Sequence, residues 1–169
     1  AYAARSHART TASIENDVFE QEIVQVTIKG RRGDTVVTHK DEDHVVTGTT
    51  AESLAKLPTA FGPNSFVTAG NASGVVDGAA AVVVMSKRKA TELGLTWMAE
   101  IGAHGNVAGP DASLHEQPAR AILAACARAR LDPADIDLFE INEAFAAVSV
   151  VSSRILTAEG SPADRKHLK

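Results

Sequence analysis

Cysteine, tryptophan and tyrosine occur once each in these 169 residues, and aromatic residues make up only 4% of them. A single cysteine, Cys126, cannot form an intramolecular disulfide, so a disulfide-stapled fold is excluded. That cysteine usage, with no secretory pattern at the start of the given sequence, leads us to expect a reducing, cytoplasmic compartment. Long apolar runs are also missing. The longest, around residues 78–85, falls far short of the roughly 20 residues that span a bilayer, and no membrane partner is expected. Basic charge is not in excess either: 17 Lys and Arg stand against 21 Asp and Glu, a formal net charge of -4. Nucleic acid and anionic membrane surfaces are therefore not expected as partners. What is present, 44% hydrophobic and 22% charged residues over a length that can bury a sizeable core, describes an ordinary soluble globular protein of one domain or of two small ones.

Residues 1–16 read as a helix with Ala4, His7, Ala8 and Thr11 on one face, opening without an N-terminal cap. The other end, ADRKHLK, has no closing element, so both ends read as cut. A strand-like run at 23–28, the turn signal Lys29-Gly30-Arg31-Arg32-Gly33-Asp34 and a second run at 35–38 predict a hairpin. Residues 39–50 are polar and turn-rich. A short helix at 51–57 is expected to end before Pro58, followed by a long Gly-, Pro-, Asn- and Ser-rich loop to residue 78. Residues 79–86 and 136–141 are small-apolar runs of the kind found in strands buried on both faces. Helices are expected at 87–93, stopped by Gly94, at 116–130 with Ile122, Leu123 and Cys126 on the apolar side, and at 143–159, stopped by Gly160.

Several motifs have ordinary explanations. Cys126 lies on the apolar stripe of a helix, whereas a reactive thiolate needs an electropositive, partly exposed site; a core position is expected. The segment from His39 to His44 holds every metal-ligand type, but its spacing is no zinc pattern, and we expect no metal site. Arg32-Gly33-Asp34 reads as a hairpin turn, and Asn71-Ala72-Ser73, formally a glycosylation sequon, has no export signal to make it one. Gly70, Gly74 and Gly78 recur at intervals of four and mark backbone that something approaches closely. Asn142-Glu143-Ala144-Phe145, at an expected strand-to-helix junction, puts Asn142 at an N-cap position, where capping alone would explain it.

Two segments are more specific: TAGNASGVVDGAAA over residues 68–81, and NEAFAA from Asn142 onward. In this order and at this distance they resemble the thiolase family. Glu22 to Val26 with the 29–34 turn, and the run from Ala51 to Phe61, match as well, so the resemblance covers nearly the whole chain. The resemblance implies part of a layered αβαβα thiolase fold with a loop-domain insertion. Residues 1–75 correspond to the loop domain that covers coenzyme A, 76–97 to the last strand and helix of the N-terminal half, and 98–169 to the first part of the C-terminal half.

Site residues follow from the same resemblance. Asn142 matches the asparagine that holds a water in an oxyanion hole: its carbonyl accepts from the water and turns the other hydrogen toward the thioester oxygen. Ser73 matches the serine on the pantetheine arm of coenzyme A. Ser53, Phe61 and Ala69 match positions lining that groove, and Phe145 the aromatic bordering the acyl pocket. Where relatives often place an adenine-side arginine, this chain has Val46. The family's acyl-accepting cysteine matches a position before residue 1, and its Gly-His-Pro histidine and second cysteine match positions after residue 169. His104 and His115 sit in other contexts.

The expected activity is that of an acyltransferase of fatty acid metabolism, condensing or thiolytically cleaving acyl-CoA thioesters such as acetyl-CoA and acetoacetyl-CoA in the complete enzyme. Coenzyme A or acyl-CoA enters as substrate, and no tightly bound cofactor is expected. Expected partners are further copies of the chain, as a dimer or tetramer, or the remaining portions of the same enzyme. A non-catalytic α/β fragment that binds acyl-CoA or a partner is the alternative. The 169 residues alone are expected to show no thiolase activity, because Cys126 lacks access and an activating base.

Overall fold

A computed structural model describes residues 1–37 and 45–158, divided into two compact units, Ala1–Gly74 and Val75–Lys169. The His39 to His44 segment and Gly160 lie outside the described residues.

The first unit opens with helix α1, Tyr2–Glu15, closed by Asn16, whose backbone N–H and side-chain amide both donate to the Ala12 carbonyl. Ala4, His7 and Thr11 are half-buried, as the periodicity predicts, whereas Ala8 is exposed and the inward face runs on through Ile14. Strands β1, Val26–Ile28, and β2, Thr35–Val37, pair antiparallel with Val26 opposite Val37 and Ile28 opposite Thr35. Their turn closes through a Gly33 N–H to Gly30 C=O bond of 3.2 Å. Gly33 stands at φ 120°, a region that glycine enters without steric cost. Helix α2, Ala51–Leu54, starts on a capping box: the Thr50 hydroxyl accepts from the Ser53 N–H at 3.1 Å, and the Ser53 hydroxyl accepts from the Thr50 N–H at 3.0 Å. Turn-like bonds carry the chain to Leu57 before Pro58 stops it.

In the second unit, helix α3, Lys87–Glu92, is capped by the Ser86 hydroxyl and ends at Gly94, whose φ of 66° lets the Leu95 N–H reach back to the Ala90 carbonyl at 2.9 Å. A 3₁₀ turn, Leu114–Glu116, leads into α4, Gln117–Ala129, with Pro118 in its first turn, where the missing N–H costs nothing. Arg130 then adopts the left-handed conformation usually given to glycine, and Leu131 N–H bonds back to Cys126 C=O at 3.0 Å. A second 3₁₀ turn, Pro133–Asp135, precedes α5, Ala146–Ala158.

The core of this unit lies between α4, α5 and the segment joining them. Ala119, Phe139, Ile141, Val148 and Leu156 form its buried cluster, with Ile122, Leu123, Ile136, Phe145 and Ile155 packed against it. Residues 148, 152 and 156 repeat every four positions and put Val148, Ser152 and Leu156 on one inward line. Cys126 is buried, as its place on the apolar stripe predicts. Gly105 crosses α4 so closely that a Cβ there would run into the Ala121 carbonyl oxygen and lie 3.0 Å from the Ala125 nitrogen.

Three expectations differ from what is observed. Residues 79–86 and 136–141 form no strand; among the described residues the one sheet is the β1–β2 pair. Strand structure requires a neighbour that bonds successive N–H and C=O groups, and among the described residues neither run forms such a ladder, Phe139 making only an isolated bridge. Val82, Val83 and Val84 are correspondingly exposed. The last helix begins at Ala146 rather than 143, because the Ala144 N–H turns back to the Asn142 carbonyl at 3.1 Å, a bond outside the helical pattern. Asn142 therefore stands four residues ahead of α5 and is not its N-cap. Among the described residues no helix is long and apolar enough to cross a membrane.

Candidate active-site residues

The first unit carries Ser53, Phe61, Ala69 and Ser73. Ser53 belongs to the opening turn of α2, where its hydroxyl donates to the Thr50 carbonyl at 2.9 Å while accepting from the Thr50 N–H. Its single proton is thus committed. What remains is one acceptor lone pair, so Ser53 can take a hydrogen bond from a ligand N–H but has none to give. Beside it, hydrogen bonds from its own backbone N–H and the Thr50 hydroxyl hold the Glu52 carboxyl below the usual carboxylate range.

Phe61 lies on a folded loop whose two sides meet in an isolated antiparallel bridge between Thr59 and Thr68. An Ala60 N–H to Val67 C=O bond of 2.8 Å adds to the bridge, and the Thr59 hydroxyl donates to Gly62 C=O at 2.7 Å. The ring of Phe61 is 71% exposed, an apolar surface without cover in its own unit. Ala69 and Ser73 follow the bridge on exposed backbone. Between them, Gly70 packs against two leucines: a Cβ there would press on Leu54 Cδ2 and lie 2.7 Å from Leu57 Cδ1, so both side-chain ends would have to move aside. The close approach suspected from its spacing is thus made by the unit's own leucines. Gly78 meets nothing within 4 Å. Val46, where an arginine was sought, is exposed.

The second unit carries Asn142 and Phe145. Asn142 is exposed on the segment entering α5, and among the described residues its side-chain amide takes no hydrogen bond. An amide in that state can accept and donate at once, which is what ordering a water requires. Glu143 next to it accepts from the Ser149 hydroxyl at 2.8 Å, tying the segment to the first turns of α5. Phe145 is half-buried. It packs on the core cluster, and its ring lies 6.2 Å from that of His115 at 46°. The His115 carbonyl in turn accepts from the fully buried Ser152 hydroxyl at 2.9 Å.

Residue patterns alone did not single out Asn71, His115, Ser149 and Ser152, which fix these segments. Only Asn71 carried a signal, an asparagine in a Gly-rich turn where its side chain can bond nearby backbone.

The family model described as "Thiolase, N-terminal domain" matches residues 1–88, and "Thiolase, C-terminal domain" matches residues 95–163. A probable acetyl-CoA acetyltransferase of Mycolicibacterium smegmatis is 52% identical over 155 residues, covering 92% of this chain and 40% of that protein. Among solved structures, the Bacillus anthracis acetyl-CoA acetyltransferase superposes with a TM-score of 0.80 at 42% identity, over 98% of this chain and 40% of its own. Human mitochondrial 3-ketoacyl-CoA thiolase superposes with a TM-score of 0.74 at 35% identity, over 98% and 43%. This chain thus spans about 40% of the length of the curated relatives it matches. Over that span it shares their α/β fold. With more than half its length matched by one thiolase domain and most of the remainder by the other, the chain belongs to the thiolase family.

Proposed function

We propose that the chain forms the coenzyme A-facing loop and the oxyanion side of an acyl-CoA C-acyltransferase of the acetyl-CoA acetyltransferase type. The observation that carries this is an exposed Asn142, free of the capping role its sequence position suggested, within an Asn-Glu-Ala-Phe segment at the entrance to α5. In the complete enzyme a cysteine thiolate attacks an acyl-CoA carbonyl, coenzyme A leaves as its thiol, and an acyl-cysteine thioester forms. A second acetyl-CoA loses a proton from its methyl carbon to a base. The carbanion attacks the acyl-cysteine, the thiolate is released, and the 3-ketoacyl-CoA departs.

Asn142 serves the deprotonation step. Its carbonyl holds a water whose second hydrogen meets the thioester oxygen as that oxygen gains enolate charge. Ser53 and Ser73 contact the pantetheine arm, Ser53 as acceptor of one of its amide N–H groups. Phe61 and Ala69 line the groove, and Phe145, braced by His115, borders the acyl pocket. Cys126 is unsuited to be the nucleophile, being 7% exposed on α4, and no Gly-His-Pro occurs in the 169 residues. The nucleophile and the bases therefore come from outside these residues. We also assign acyl-CoA as substrate with no tightly bound cofactor, a homo-oligomeric assembly, and a cytoplasmic role in fatty acid metabolism.

Expression from the full reading frame and assay with acetoacetyl-CoA and coenzyme A tests this. Thiolysis well above background, with an acyl group trapped on a cysteine other than Cys126, is the expected result. Calorimetric binding of coenzyme A without turnover would support the non-catalytic acyl-CoA binder instead.

A further inference from the structure

Asn71 opens the tripeptide Asn71-Ala72-Ser73, whose only obvious meaning in the sequence is a sequon. The folded loop gives its side chain other work. Oδ1 accepts the Thr68 N–H at 2.9 Å, and Nδ2 donates to the Phe66 carbonyl at 2.8 Å. The backbone N–H of Asn71 closes the same turn by donating to the Thr68 carbonyl at 3.1 Å. Thr68 is buried, and its hydroxyl accepts from the Gly70 N–H at 3.3 Å.

These bonds lock residues 66–71 at the end of the Thr59–Thr68 bridge. The locked piece of backbone holds Ala69, is bridged to the segment leading into Phe61, and runs on toward Ser73. The wider 59–73 loop around it contains Gly62 and Gly70, and nine of its 15 residues are exposed, so side-chain bonds within the loop matter to its shape. Reaching the Thr68 N–H and the Phe66 C=O from two separate atoms takes a group with an acceptor and a donor side by side, as on a planar amide. Among short side chains only asparagine carries one.

We propose that Asn71 is a positioning residue for coenzyme A binding: its amide holds the 59–73 loop in the shape that presents Phe61, Ala69 and Ser73 to the ligand. This rests on the coenzyme A-facing role assigned to that loop above. With the clamp in place, the loop is ordered before the ligand arrives. Without it, binding bears the ordering cost, and affinity falls while the chemistry at Asn142, in the other unit, is untouched.

The test uses the protein expressed from its full reading frame. Asn71→Ala should raise both the KM for coenzyme A in thiolysis and the calorimetric Kd about tenfold, with kcat within about twofold of wild type. Asn71→Asp keeps the acceptor for the Thr68 N–H but sets an oxygen against the Phe66 carbonyl. It should fall between the two, and it carries the test if the alanine variant does not fold. A merely structural role would lower the melting temperature and the active fraction without this split between KM and kcat, and that outcome overturns the proposal. Wild-type coenzyme A affinity in a folded Asn71 variant, beside a wild type that binds, overturns the clamp alone. A wild type that binds no coenzyme A overturns the assigned function beneath it.

Discussion

Asn142→Ala is expected to lower the turnover of acyl-CoA condensation, the activity proposed above, by about 10²–10³-fold in the protein expressed from its full reading frame, the usual loss for one oxyanion donor. The melting temperature should hardly move. These two expectations are linked by the position of the residue. An N-cap asparagine replaced by alanine would cost about 1 kcal/mol of stability, but α5 begins at Ala146, and the Ala144 N–H reaches the Asn142 backbone carbonyl, which the substitution keeps. The side chain is exposed and bonds to none of the described residues, so the fold loses little with it. In the proposed role its loss is felt only where charge develops on the thioester oxygen. KM for acetyl-CoA should therefore change much less than kcat. Unchanged turnover with a lower melting temperature would return Asn142 to a structural role and remove the oxyanion assignment.

Leu156→Ala should destabilise the protein by about 2–5 kcal/mol, measured as a shift in the chemical-denaturation midpoint at constant slope. Leu156 is 2% exposed and belongs to the cluster of Ala119, Phe139, Ile141 and Val148, so truncation removes buried apolar surface and leaves a void lined by neighbours from α4 and the 136–141 segment. The backbone of α5 cannot collapse into that space easily, because Ser152, one turn earlier, is tied to the His115 carbonyl. Phe145 packs on the same cluster, so some loosening of its ring should accompany the loss of stability. A change below about 1 kcal/mol would mean that the site relaxes freely, and that the cluster does not hold α4 and α5 together as described.

The sequence carried the local elements well and the long-range ones poorly. The β1–β2 hairpin, the stop of α3 at Gly94 and the burial of Cys126 with Ile122 and Leu123 on α4 all follow from turn chemistry and periodicity, which act over a few residues. Residues 79–86 and 136–141 show the limit. An apolar run records what its side chains want to touch, not whether a neighbouring chain segment is at hand to form a ladder, and among the described residues neither run forms one. The start of α5 was misplaced because Asn-Glu-Ala-Phe has the composition of a capped helix start, while the backbone turn at Asn142 has no sequence signature of its own. At the candidate site, the thiolase resemblance named Asn142 and the loop. It could not show that Ser53 spends its proton within the capping box, that Gly70 packs against Leu54 and Leu57, or that the Asn71 amide bonds the Thr68 N–H and the Phe66 carbonyl. Each of these depends on groups brought together only by folding.

The most direct test of membership in a working thiolase is a transplant. The matched segment of the Bacillus anthracis acetyl-CoA acetyltransferase, to which this chain is 42% identical over 98% of its length, is replaced by the present sequence, and acetyl transfer is measured. A chimaera that folds, binds coenzyme A and condenses acetyl-CoA far faster than the same chimaera carrying Asn142→Ala is the predicted result. A chimaera that folds and binds coenzyme A but transfers no acetyl group, or is indifferent to Asn142→Ala, would contradict it.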